Sequence, residues 1–62
     1  MDKRFVRFKV AIEILEDKLM FMKILEMECK KYGIDVDKPY TYDIGFTGND
    51  YIMNTRTIVV IQ

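Results

Sequence analysis

Hydrophobic and polar residues alternate from Arg4 to Ile14. Val6, Phe8, Val10, Ile12 and Ile14 share one parity, while Arg7, Lys9, Ala11 and Glu13 take the other. Period two over this many positions predicts a half-buried strand. A helical reading competes, because Ala11, Ile14, Leu15, Met22, Leu25, Cys29 and Tyr32 also fit a three-four spacing that would make one long helix. Lys18 in the middle of that stripe and the β-branched richness of residues 6–14 favour the strand.

Residues 17–32 form the clearest predicted helix. Asp17 is placed to cap its first turn, and Lys30 and Lys31 fall in its last turn, where the helix dipole favours cations. Gly33 follows as the expected left-handed residue, after which Ile34 can pack back on the last turn. Asp35, Asp37 and Pro39 read as a connecting loop. Beyond it Tyr40, Tyr42, Ile44 and Phe46 alternate with Thr41, Asp43, Gly45 and Thr47, Gly48 and Asn49 supply turn residues, and a β-rich run resumes from Tyr51 to Ile61. That pattern predicts a hairpin. Its last four apolar residues, Ile58 to Ile61, lack polar alternation, which predicts a central strand or an intermolecular contact with both faces covered. The expected fold is α+β: a small single domain over residues 1–62, ordered β-α-β-β, with a three-stranded sheet and one helix packed on one face.

Stepping the helix at ~100° per residue divides its apolar positions into two stripes. Phe21, Met22, Leu25, Cys29 and Tyr32 make a core-facing stripe of ordinary width. Met20, Ile24 and Met27 fall on a second arc, separated by Asp17 and Glu28 on one side and by Lys23, Glu26 and Lys30 on the other. A three-stranded sheet can bury one of these stripes. The second is therefore a candidate partner or oligomer interface, since Met packs adaptably at contact surfaces; the alternative is that its long side chains wrap round the helix edge.

Composition supports the strand-rich reading, for thirteen residues are Val or Ile against one Ala and three Leu. The scarcity of Ala, Gly and Pro beside abundant Lys, Ile and Tyr also resembles translation of an AT-rich genome, as in a phage or other mobile element. Ten basic and ten acidic residues cancel, so no global field steers the chain to nucleic acid or a membrane. The charges are graded along the sequence, however. Lys3, Arg4, Arg7 and Lys9 outweigh Asp2 near the start, while Asp35, Asp37, Asp43 and Asp50 outweigh Lys38 later, so opposite charges could meet across strands or between copies. A single Cys, no signal-like N-terminal run and no long uncharged stretch point to a reducing, cytoplasmic setting with no membrane partner. A chain of this length hides only about 60% of its surface on folding, which leaves a lone monomer marginally stable.

Catalytic chemistry is thin. There is no His and no Ser, which removes imidazole bases, Ser-His and Cys-His pairs and the common zinc sets. Cys29 lies on the core-facing stripe, so an inert small hydrophobe is expected. Asp35, Asp37 and Asp43 could ligate a hard cation, but the spacing lacks the features of an EF-hand loop and a solvated acidic loop is expected instead. No enzyme, cofactor or metal site is read from the sequence.

The leading functional expectation is a non-enzymatic interaction protein of inhibitor or adaptor type that homodimerises and binds or sequesters a protein target. Met20, Ile24 and Met27, or a strand edge, would join the copies, and the surface carrying Phe5, Arg7, Lys9 and the tyrosines would meet the target. The alternative is a small nucleotide or nucleic-acid binder in which Arg7, Lys9 and Arg56 neutralise phosphates while Tyr40, Tyr42 or Tyr51 stack on bases.

Overall fold

The computed structural model describes residues 4–62; Asp2 and Lys3 of the basic N-terminal segment lie outside the described residues. The chain runs β1 (Phe5–Ala11), α1 (Ile12–Glu16), α2 (Lys18–Lys31), β2 (Thr41–Gly45), α3 (Gly48–Met53) and β3 (Thr55–Ile61). The three strands form one antiparallel sheet in the order β1-β3-β2, with β3 central, one of the two placings its unbroken apolar run allowed.

The alternation in β1 carries through to burial. Val6, Phe8 and Val10 are buried, whereas Phe5, Arg7, Lys9 and Ala11 face solvent. Register places Val6 beside Val60 and Phe8 beside Ile58 on the inner face, which meets Phe21, Leu25 and Cys29 of α2. Leu25, Cys29, Ile58 and Val60 are completely inaccessible. The outer face consists of the other parity, including Arg7, Val59 and Asp43 in one row. The expected coverage of both faces of β3 does not hold: Ile58 and Val60 are buried, but Val59 is half-buried and Ile61 is exposed.

Strand and helix readings of residues 4–32 each hold over part of the segment. The strand ends at Ala11, and Ile12–Glu16 turns into a short helix whose Ile14 and Leu15 pack at the margin of the core. Asp17, with extended backbone (ψ 93°), interrupts helical continuity, and its carboxylate accepts from the Met20 N–H at 3.2 Å to start α2. The predicted cap and stop are both present. Ile34 N–H donates to the Cys29 carbonyl at 2.8 Å and Gly33 N–H to that of Lys30 at 3.3 Å, a paired closure that requires the positive φ of Gly33 (88°) and folds Ile34 into the core.

The expected tight hairpin is replaced by a helix. Gly48 and Asn49 begin α3, so Tyr51 belongs to that helix and the third strand starts only at Thr55. The reason is local. Thr47 Oγ1 accepts from Asp50 N–H at 3.3 Å while the Asp50 carboxylate accepts from Thr47 N–H at 2.8 Å, which satisfies two of the otherwise free donors of a helix start. Asn54 then closes the helix in the left-handed conformation (φ 58°) that Asn tolerates and returns the chain to β3.

Candidate functional site

The most heavily built polar cluster lies where α3 meets the outer face of the sheet. Lys9, Thr55 and Thr57 occupy outward positions on β1 and β3, and Asp50 descends from α3 onto them with no solvent exposure. Its Oδ1 accepts from Lys9 Nζ at 3.1 Å and from Thr55 Oγ1 at 2.8 Å; its Oδ2 accepts from Thr57 Oγ1 at 2.8 Å and from Thr47 N–H at 2.8 Å. All four acceptor sites of the carboxylate are occupied, leaving none for a substrate proton or a cation. The cluster is thus a clamp that fixes α3 to the sheet. It is also where the basic start and acidic later part of the chain meet, through Lys9 and Asp50.

Burial by itself opposes ionisation of Asp50. The hydrogen bonds from Thr55, Thr57, the Thr47 backbone and Lys9 outweigh it and hold the carboxyl well below its ordinary value of 3.8. The unfolded chain therefore takes up the proton first. The stabilisation from Asp50 is complete above the ordinary carboxylate range and is lost as pH falls through that range toward the folded value. Urea unfolding between neutral pH and acid should show wild-type stability falling more steeply than that of Asp50→Asn; parallel curves would separate the clamp from the pH response.

What the clamp holds up is apolar. Tyr51, Ile52 and Met53 follow Asp50 directly and are 78%, 77% and 67% exposed. Phe46, just before the helix, is also exposed; its ring meets Tyr51 edge-on at 6.3 Å between centroids, and the Arg56 guanidinium lies 4.5 Å from its centre. The result is a rigidly seated apolar projection at the end of the sheet where β2 leaves and β3 begins.

The residues singled out from the sequence fall in several places. On α2, Met20 and Met27 are exposed on the side away from the core, while Ile24 is half-buried against it, so the second stripe is open at its two methionines. Tyr32, expected to face the core, is half-exposed at the helix end with the Lys31 ammonium 5.4 Å from its ring. Phe5, Arg7 and Lys9 do share the outer face of β1, and residues from both faces, Phe5, Val6, Arg7 and Tyr32, line a shallow open depression. Lys9 is engaged by Asp50, and the Arg7 guanidinium sits 6.0 Å from the Phe5 ring. The other members of the proposed anion surface are elsewhere. Tyr40 packs against the core, Tyr42 meets Phe21 on the inner face with ring centroids 5.6 Å apart, Arg56 turns to Phe46, and Tyr51 rides on α3. The fold does not gather Phe5, Arg7, Lys9, Tyr40, Tyr42, Tyr51 and Arg56 into one surface.

Reactive groups are similarly committed. Burial first, then the nearby charges of Glu26 and Glu28, push the Cys29 thiol up from its ordinary range, which disfavours the nucleophilic thiolate. The Asp35 carboxylate accepts from Asp37 N–H at 3.0 Å within its own loop, and Asp43 lies on the outer face of β2. Among the described residues no group of three or more His, Cys, Asp or Glu is placed to hold a metal ion, and no helix is long and apolar enough to cross a membrane.

Asp50, its three threonines, Ile52 and Met53 are the features that pattern reading passed over. The spacing Thr47-x-x-Asp50 is a helix-start signature present in the sequence. It is obscured by Gly48 and Asn49, which also suit a hairpin turn. No family model, curated protein or solved structure matches the chain.

Proposed function

We propose that this chain is a non-enzymatic interaction protein that acts as a homodimer and binds a protein target by inserting the apolar projection of α3 into a complementary cleft. The supporting observation is the contrast within four consecutive residues: Asp50 is fully buried in a satisfied ionic clamp, while Tyr51, Ile52 and Met53 stand largely in water. The exposed apolar side of this six-residue helix buries nothing in the free protein, and isolated helices of that length are not self-supporting, so its order comes from the Asp50 clamp. Pre-ordering it does lower the entropy cost of binding, and exposed contiguous apolar surface is the usual mark of a contact site. Target occlusion or adaptor action then follows from equilibrium binding.

The test is capture from the native host with tagged wild type, Ile52→Asp and Met27→Asp, after circular dichroism has shown all three folded. One saturable protein partner should be retained by wild type and Met27→Asp and lost with Ile52→Asp. Capture unaffected by Ile52→Asp, or no saturable partner at all, overturns the reading.

A further inference from the structure

Among the described residues the sheet has two open edges, and they differ in kind. Arg4 and Gln62 exchange both backbone hydrogen bonds at 2.9 Å, and Ile12 N–H donates to the Asn54 carbonyl. Antiparallel alternation therefore directs the even-numbered main-chain groups of β3 toward β1 and the odd-numbered ones toward β2. Main-chain N–H and C=O groups of Phe5, Arg7, Lys9 and Ala11 point off the free edge of β1, and those of Tyr42 and Ile44 point off the free edge of β2.

Edge β1 opposes like charges in its central registers. A two-fold centred on Arg7 sets Arg7 opposite Arg7 of the second copy, and one centred on Phe8 sets Arg7 opposite Lys9 twice; like charges directly across strands are destabilising. Edge β2 offers a compatible register. A two-fold at Asp43 is excluded because it opposes two carboxylates. One centred on Ile44 sets Ile44 against Ile44, Tyr42 against Phe46, Asp43 against Gly45 and Thr41 against Thr47, with no like charges opposed. Tyr42, Ile44 and Phe46 are 41%, 53% and 56% exposed; Tyr42 and Ile44 lie on the parity that faces α2, and Phe46 is the next position of that parity just beyond the strand. Phe46 leads into extended backbone at Thr47 (φ −120°, ψ 169°), so the strand geometry can continue far enough to use it.

We propose that two copies associate through β2 in this Ile44-centred antiparallel register, forming a continuous six-stranded sheet. The proposal rests on the homodimer reading above and gives it a surface. Each Ile44 exchanges main-chain hydrogen bonds with its counterpart, and each Tyr42 does so with Phe46 of the second copy. A two-fold perpendicular to the sheet keeps both α2 helices on one side. The contact of Phe21 with Tyr42 then extends across the junction to Phe46 of the second copy, turning three half-exposed side chains per copy into a shared core.

Sedimentation equilibrium on the full chain tests it. Wild type should be dimeric, and Ile44→Lys, at a position already half-exposed in the monomer, should weaken association by about 30-fold or more while retaining its circular dichroism. Met27→Lys should leave the dimer intact. Ile44→Cys should cross-link to its own copy on mild oxidation, because directly opposed hydrogen-bonded positions place Cα atoms about 5.5 Å apart, within disulfide range; Asp43→Cys should not. Cys29 is buried and does not interfere. A dimer that survives Ile44→Lys, or cross-links through Asp43→Cys instead, overturns this surface and leaves the homodimer reading standing. A wild-type monomer at the highest soluble concentration overturns both, without touching the capture result for α3.

Discussion

Asp50→Ala should lower the melting temperature by about 15 °C or more and release α3 from the sheet, the largest effect expected of any polar substitution in this chain. The substitution removes one group but takes an acceptor from four: the hydroxyls of Thr55 and Thr57, the Thr47 N–H, and the Lys9 ammonium, which is half-exposed and keeps Thr47 Oγ1 at 3.5 Å. Thr57 is itself buried, so water cannot simply replace the lost partner there. Asp50→Asn is nearly isosteric, yet it should recover little. Donors converge on both carboxylate oxygens, and an amide would turn its NH2 group toward one pair of them. Thermal melts followed by circular dichroism check the magnitude. Hydrogen exchange checks the location: amides of residues 47–54 should lose protection first, and those of β1 and the centre of β3 last. Uniform loss of protection would show that α3 is integral to the whole fold and is no separately held projection. Because the same clamp positions Tyr51, Ile52 and Met53, partner capture should weaken in Asp50→Ala even below its melting point.

Leu25→Ala carries the second large effect. Leu25 is fully inaccessible at the centre of the layer between α2 and the sheet, among Phe21, Cys29, Phe8 and Ile58. Truncation there forfeits transfer energy and leaves a cavity, costing about 2–5 kcal/mol. Small domains hold only about 5 kcal/mol at the low end of the natural range. Leu25→Ala should therefore be substantially unfolded at physiological temperature, whereas Met27→Ala, two residues along on the opposite side, should change stability by no more than about 0.5 kcal/mol. Urea titrations of the pair decide which helix stripe is buried. Comparable losses in both would mean that the methionine face is covered, by a second copy or otherwise.

These two sites mark the limits of what pattern could read. Leu25 was legible: apolar spacing along α2, the Asp17 cap and the Gly33 stop are local properties, and they locate the helix to within a residue at each end. The β1 alternation was legible for the same reason, whereas the β-branched run of β3 left a central strand and an intermolecular contact equally open, and strand order decided between them. Residues 11–17 were ambiguous because Ile12 and Ile14 satisfy a strand period and a helix period at once; only the packing of Ile14 and Leu15 beside the core decided for the helix. At Thr47 to Asn54 two local signals compete. Gly48 and Asn49 suit a tight turn, and Thr47 with Asp50 suits a helix start. What tips the balance is remote in sequence, since Lys9, Thr55 and Thr57 supply the donors that make burial of Asp50 favourable.

The sequence by itself determined the α+β class, the placing of one strand before α2 and two after it, the limits of α2 and the buried parity of β1, because each depends on periodicity and on caps within a few residues. Tertiary structure alone decided that Asp50 is a clamp, that Tyr51 to Met53 project into solvent, that Tyr40 and Tyr42 lie on the opposite face of the sheet from Arg7 and Lys9, and that the free edge of β2 has a register with no like charges opposed. These are properties of strand order and register, which bring together residues as far apart as Lys9 and Asp50, and no local spacing encodes such a meeting.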